Sequence, residues 1–142
     1  MQEKPGDQID AILAQWQTCV EMANSVSQRR DAMNNIFISL NLAIIAAVSF
    51  VWNAKTVFLL IVGIVLCAIW LLFIRNFKLL NEAKFQVINE IEEKLPMTPF
   101  GREWGKLQSN KKYMDGTKLE RALPITFICL YAVAIVALLI IL

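Results

Sequence analysis

Charged side chains leave three long gaps in this chain. Ile36–Asn53 and Thr56–Ile74 are apolar runs separated only by Ala54 and Lys55, and a third run occupies Ile125–Leu142. Each holds 18 or 19 residues without an Asp, Glu, Lys or Arg, the length at which an α-helix crosses a hydrocarbon core of roughly 30 Å. Backbone amides in hydrocarbon need partners within their own segment, so the runs are read as transmembrane helices at 36–53, 56–74 and 124–142.

Between the gaps the pattern turns amphipathic. Ile9, Leu13, Trp16, Val20, Ala23 and Val26 recur at spacings of three and four and lead into Ile36. With Asp7 as N-cap and no proline or glycine between Asp7 and Asn53, one helix is expected to run through both a polar half (7–35) and the first span. It would be more than about 60 Å long. The second span likewise continues through Leu80, Lys84, Val87, Ile88, Ile91 and Leu95 until Pro96. The two would form a long antiparallel hairpin with its tip at Ala54–Lys55 and its polar ends in the cytosol.

Residues 96–116 hold two of the four prolines and three of the five glycines, which predicts a turn-rich segment with a short helix near Phe100–Tyr113. Thr117 and Glu120 make a T-x-x-E capping box ahead of the last span. Pro124 then falls inside that helix and is expected to bend it. The fold class is all-α, three transmembrane helices in a single membrane domain with a cytosolic extension at 75–123.

The formal charge is only +2, too small and too mixed to suggest nucleic acid as a partner. The first 35 residues carry five acids against three bases and no early apolar core, so a signal peptide is not expected and the first span is read as a retained anchor. Basic residues mark the cytoplasmic side. Arg29, Arg30, Arg75 and Lys78 stand at the inner borders of the first two spans, and the tip has Lys55 alone. The N-terminus is therefore placed in the cytoplasm and the C-terminus outside. Trp52 and Trp70 fit either aromatic-belt positions or packing bulk.

Candidate chemistry is sparse. The chain has no histidine, which removes the usual general base and zinc ligand. Cys19, Cys67 and Cys129 are isolated and read as packing residues. Neither a metal nor any other cofactor is expected, and the chain is not expected to be an enzyme. Asn41, lying above Asn34 and Asn35, is an amide inside a span. It serves either an interhelical hydrogen bond, the favoured use, or a pore lining, and Asn34 shares these alternatives. Arg29 and Arg30 anchor topology, grip anionic headgroups, or pair with acids such as Glu82 or Glu90. Glu90, Glu92 and Glu93 are read as a solvated face. Phe100, Glu103 and Trp104 form one side of a short helix that packs on the bundle or docks a cytosolic protein. Gly63 has no small residue four positions away, so a GxxxG helix-pairing motif is absent.

Three stretches taken together resemble one family. They are Ser27-x-Arg29-Arg30 followed by Asn34-Asn35, the pattern L-N-x-x-K-F-x-V-I-x-E-x-E-x-x-L-P-x-x-P-F-x-x-E-W at Leu80–Trp104, and Tyr113-x-x-x-Thr117-x-x-Glu120. Between about Ser25 and Phe127 the chain resembles the RipA-like family of small octameric bacterial membrane proteins. The resemblance implies a homo-octameric ring in the bacterial inner membrane, around an axis that is a candidate channel. The chain also looks like small membrane accessory proteins of RNA-targeting CRISPR systems, whose proposed role is to depolarise the membrane. Some of those carry an Arg…His ribonuclease-like signature, which a chain without histidine does not share. The implied function is a pore or membrane-perturbing effector in stress or defence; the alternative is a non-conducting scaffold that recruits a cytosolic partner. The implied partners are the lipid bilayer and copies of the chain itself.

Overall fold

The computed structural model describes residues 5–50 and 53–141, and Trp52 lies outside them. Four helices follow in order: α1 (Pro5–Phe50), α2 (Thr56–Glu92), α3 (Pro99–Ser109) and α4 (Gly116–Ile141). The fold is all-helical, and α1, α2 and α4 are each long and apolar enough to cross a membrane. The expected continuity of α1 and α2 holds because nothing in either interrupts the backbone ladder. α1 starts at Pro5, before Asp7, so Asp7 lies in the first turn and is not the cap; proline suits a helix start because its missing N–H is not needed there.

The chain divides into two compact units, and α1 and α2 contribute to both. One unit comprises Arg30–Asn76 with the chain from Asp115 onward, and holds the apolar runs. Here the tip is closed by side chains. Asn53 Oδ1 accepts from Lys55 N at 2.9 Å, and Thr56 Oγ1 accepts from Asn53 N at 3.2 Å. Packing runs between facing positions of an antiparallel pair, with Val48, Leu60, Cys67 and Tyr131 buried in one cluster and Phe37, Trp70 and Ile74 in another. Phe37 stacks on Trp70 at 5.6 Å, Trp70 meets Phe127 at 6.3 Å, and Phe127 meets Tyr131 at 6.4 Å. Those rings join α1, α2 and α4.

The other unit comprises the chain up to Arg29 with Phe77–Met114, and carries most of the charge. Its core is Ala23, Val26 and Ile88. The expected stripe on α1 is buried only in its upper half. Ile9 and Leu13 are exposed and border an open apolar groove with Leu95, Pro96 and Met97.

α2 tightens at its end, with Lys94 N and Leu95 N bonding three residues back, because Leu95 precedes Pro96. α3 begins at Pro99 and ends at Ser109, short of Tyr113, where Asn110 Oδ1 turns back to accept from Lys112 N. The T-x-x-E box does not form. Asp115 caps α4 instead, its Oδ1 accepting from Thr117 N at 3.0 Å. Thr117 and Glu120 are thereby free to bond elsewhere. Pro124 is buried inside α4, where it removes the N–H that Glu120's carbonyl would accept.

Candidate functional site

Within the span unit, Asn41 and Asn34 turn inward and find partners on neighbouring helices. Asn41 is 0% exposed. Its Nδ2 donates to Phe37 O at 2.8 Å, one turn back on α1. Its Oδ1 accepts from Cys67 Sγ of α2 at 3.1 Å and from Tyr131 Oη of α4 at 2.8 Å. One amide thus ties three spans, using both lone pairs of its oxygen. Such a bond in a membrane is worth about 0.6–2 kcal/mol. Asn34, half-buried, accepts from Trp70 Nε1 at 2.8 Å. Both asparagines are therefore occupied in interhelical bonds inside one chain.

Gly63 permits this arrangement. A Cβ there would sit 2.6 Å from Tyr131 Cε2 and 2.8 Å from Cζ, closer than side-chain carbons approach. The glycine serves the packing of α4 on α2 with no second small residue four positions away, which a search for GxxxG misses.

Charge is paired at the base of the same unit. Arg30 Nε donates to Glu120 Oε2 at 2.8 Å, and its Nη2 reaches both that oxygen and Thr117 Oγ1, the latter at 3.1 Å. The expected partners Glu82 and Glu90 are not the ones used. Glu120 is positioned because Asp115 has taken over the cap. Arg29 and Arg75 are exposed, and Lys78 lies 3.6 Å from Glu82 in an i,i+4 pair that is largely solvated.

What α1 exposes differs from what the other spans expose. Asp31, Asn35, Ser39, Leu42, Ala46 and Ser49 fall on one side of α1 at spacings of three and four, and all are exposed. Except for Leu42 they are small or polar, while Phe50, four beyond Ala46, and Ile36 and Leu40 on the flank are exposed apolar positions. The Ser39 and Ser49 hydroxyls donate to the carbonyls of Asn35 and Ile45, which leaves their oxygens able to accept. On α2 the exposed positions are Phe58, Ile61, Val62, Val65, Ile69, Leu72 and Phe73 with Ala68. On α4 the exposed span is apolar except for Thr126, which, like Ser39 and Ser49, donates to a carbonyl four residues back.

In the charged unit the solvated acidic face must be corrected. Glu90 and Glu93 are exposed, but Glu92 is 0% exposed. Helical phase explains it: Glu92 is four residues beyond buried Ile88, on the side turned to α1. Its Oε1 accepts from Trp16 Nε1 at 3.3 Å and from Phe100 N at 3.1 Å, and its Oε2 from Gly101 N at 3.2 Å. Thr98 gives α3 no side-chain cap, so Glu92 supplies it, with its charge at the positive end of the helix dipole. Phe100 completes the join, 5.8 Å from Trp16 and 5.6 Å from Phe85. Glu103 and Trp104 are exposed on the same side of α3, bordering a groove against α2.

Among the described residues no group of His, Cys, Asp or Glu could hold a metal ion. The organisation is that of spans held together from within. The model of the octameric membrane protein family (8xMP) matches residues 13–140. The chain belongs to that family. It is a transmembrane protein that associates with its own copies as a homo-octamer, an assembly compatible with a ring. No curated protein and no solved structure matches it.

Proposed function

We propose that the octamer encloses a conducting or membrane-perturbing axis lined by α1, and that the chain is a RipA-like effector of the bacterial inner membrane. The observation that carries this is the exposed face of α1. In hydrocarbon, Asn35, Ser39 and Ser49 gain nothing from facing lipid, whereas at an axis their oxygens meet water. The apolar faces of α2 and α4 suit the lipid side. Leu42, between Ser39 and Ala46, supplies an apolar collar of the kind that closes a pore by dewetting. Asp31 at one end of the face would give the mouth a ring of carboxylates and a preference for cations.

The basic residues at the inner borders support a cytoplasmic N-terminus and charged unit, with the C-terminus outside. α1 and α2 run unbroken from the charged unit into the spans, which offers a helical path by which a cytosolic signal reaches the axis. The proposed activity is not enzymatic.

Recordings from the purified octamer in planar bilayers test the reading. Discrete cation-preferring currents are expected, larger or more often open in Leu42→Ser and less cation-selective in Asp31→Asn. An intact octamer that stays silent, with Leu42→Ser equally silent, would overturn it and leave the non-conducting scaffold with a cytosolic partner.

A further inference from the structure

The charged unit holds a groove of about 420 Å³ between α2 and α3. Asn81, Phe85 and Asn89 lie along its α2 side at spacings of four, and Phe100, Trp104 and Leu107 along its α3 side. Glu82 and Glu103 also line it, and no lysine or arginine does. The Oδ1 atoms of Asn81 and Asn89 are buried and accept no hydrogen bond among the described residues. Two exposed carboxylates and three aromatic rings call for a partner group carrying positive charge, a guanidinium above all.

α3 carries such groups outside the groove. At about 100° per residue, Phe100, Glu103, Trp104 and Leu107 share one face, Arg102 stands roughly opposite and Lys106 on the flank. Both are exposed. None of the residues on α3 is fully buried within the chain; Phe100 and Leu107 are half-buried, and the rest of the helix is exposed. A closed ring of identical subunits needs two different faces on each copy, one matching the other.

We propose that α3 is a head-to-tail link of the octamer: Arg102 and Lys106 of one copy enter the α2–α3 groove of the next. This rests on the octameric assembly and does not depend on conduction. The charges decide the sense of the contact. Two grooves face to face would oppose carboxylates, and two α3 backs would oppose cations, so a two-fold arrangement is disfavoured.

Cysteine cross-linking of the full chain in membranes tests the contact, with Cys19→Ser and Cys129→Ser as background. Gln86→Cys and Lys106→Cys in one chain should give, on mild oxidation, a ladder of disulfide-linked species from dimer up to octamer, while either alone stays monomeric. Native mass spectrometry of the same sample reports the assembly separately. An octamer without the ladder, or single variants that cross-link as dimers, overturns this contact while the assembly stands. Absence of any octamer overturns both. Charge reversal gives a second reading: Arg102→Glu with Lys106→Glu should lose the octamer, and adding Glu82→Lys with Glu103→Lys should restore it. An octamer unaffected by the first pair overturns the proposal.

Discussion

Tyr131 of α4 and Asn41 of α1, ninety positions apart, are joined by a 2.8 Å hydrogen bond from the phenol to the amide oxygen. Cys67 of α2 donates to the same oxygen at 3.1 Å, so the third span is held by a bond that the first two already share. Tyr131→Phe keeps the ring and removes the bond. It should cost about 0.6–2 kcal/mol. Asn41→Leu should cost more, since Cys67 loses its acceptor and Tyr131 keeps only the longer contact to the backbone carbonyl of residue 41, at 3.3 Å. Reversible unfolding in detergent micelles measures both, and equal costs would contradict the shared-acceptor arrangement.

Gly63 lies where the Tyr131 ring crosses α2. Gly63→Ala puts a methyl into that ring and should destabilise by about 1–3 kcal/mol, the usual range for overpacking. A smaller side chain opposite should recover part of it. The double variant with Tyr131→Leu is therefore expected to be less destabilised than the two single losses added together. Strict additivity would show that the close approach is not the cause.

Glu92 holds α3 by its first amides and by the Trp16 indole. Glu92→Gln replaces one acceptor oxygen with an NH2 that faces N–H donors. The unmet bond should cost about 1–3 kcal/mol. Amide hydrogen exchange at Phe100 and Gly101 should speed up, while Glu93→Gln, at an exposed position, leaves it unchanged. Similar exchange in both variants would argue that α3 is held some other way.

Arg30 and Glu120 form a partly exposed pair, 16% and 24% accessible. Solvent screens it, so loss of either partner is expected to cost about 1 kcal/mol. Reversing both charges, Arg30→Glu with Glu120→Arg, should recover part of the stability lost in either single reversal. A double reversal no better than the worse single one would show that Thr117 and local packing dominate.

The spans were legible because uncharged runs of membrane length have few other meanings, and α1 because no breaker divides it. Side-chain roles were less legible. Asn41 announces its need for a partner, but Tyr131 is found only once three helices have packed. Glu92 sits in a run of acids where neighbouring letters look equivalent; its phase with Ile88, and Trp16 in the apolar stripe opposite, were the available signals. Thr117 and Glu120 carry a capping pattern that Asp115, two residues before Thr117, makes redundant. Local motifs compete, and the nearer cap releases Glu120 to meet Arg30. The exposed side of α1 was written in Asn35, Ser39 and Ser49, yet its importance emerges only when α2 and α4 are seen to expose almost nothing polar.

Thiol accessibility along the spans tests the central claim most directly. Single cysteines at Ser39, Ser49, Ile61 and Val133 are introduced into the Cys19→Ser, Cys129→Ser protein and exposed to a charged, water-soluble thiol reagent on both faces of the membrane, so that each side of the Leu42 collar is reached. An axis lined by α1 predicts that Ser39→Cys and Ser49→Cys react while Ile61→Cys and Val133→Cys, facing lipid, do not. Inert cysteines on α1, or equal reactivity at all four positions, would contradict it.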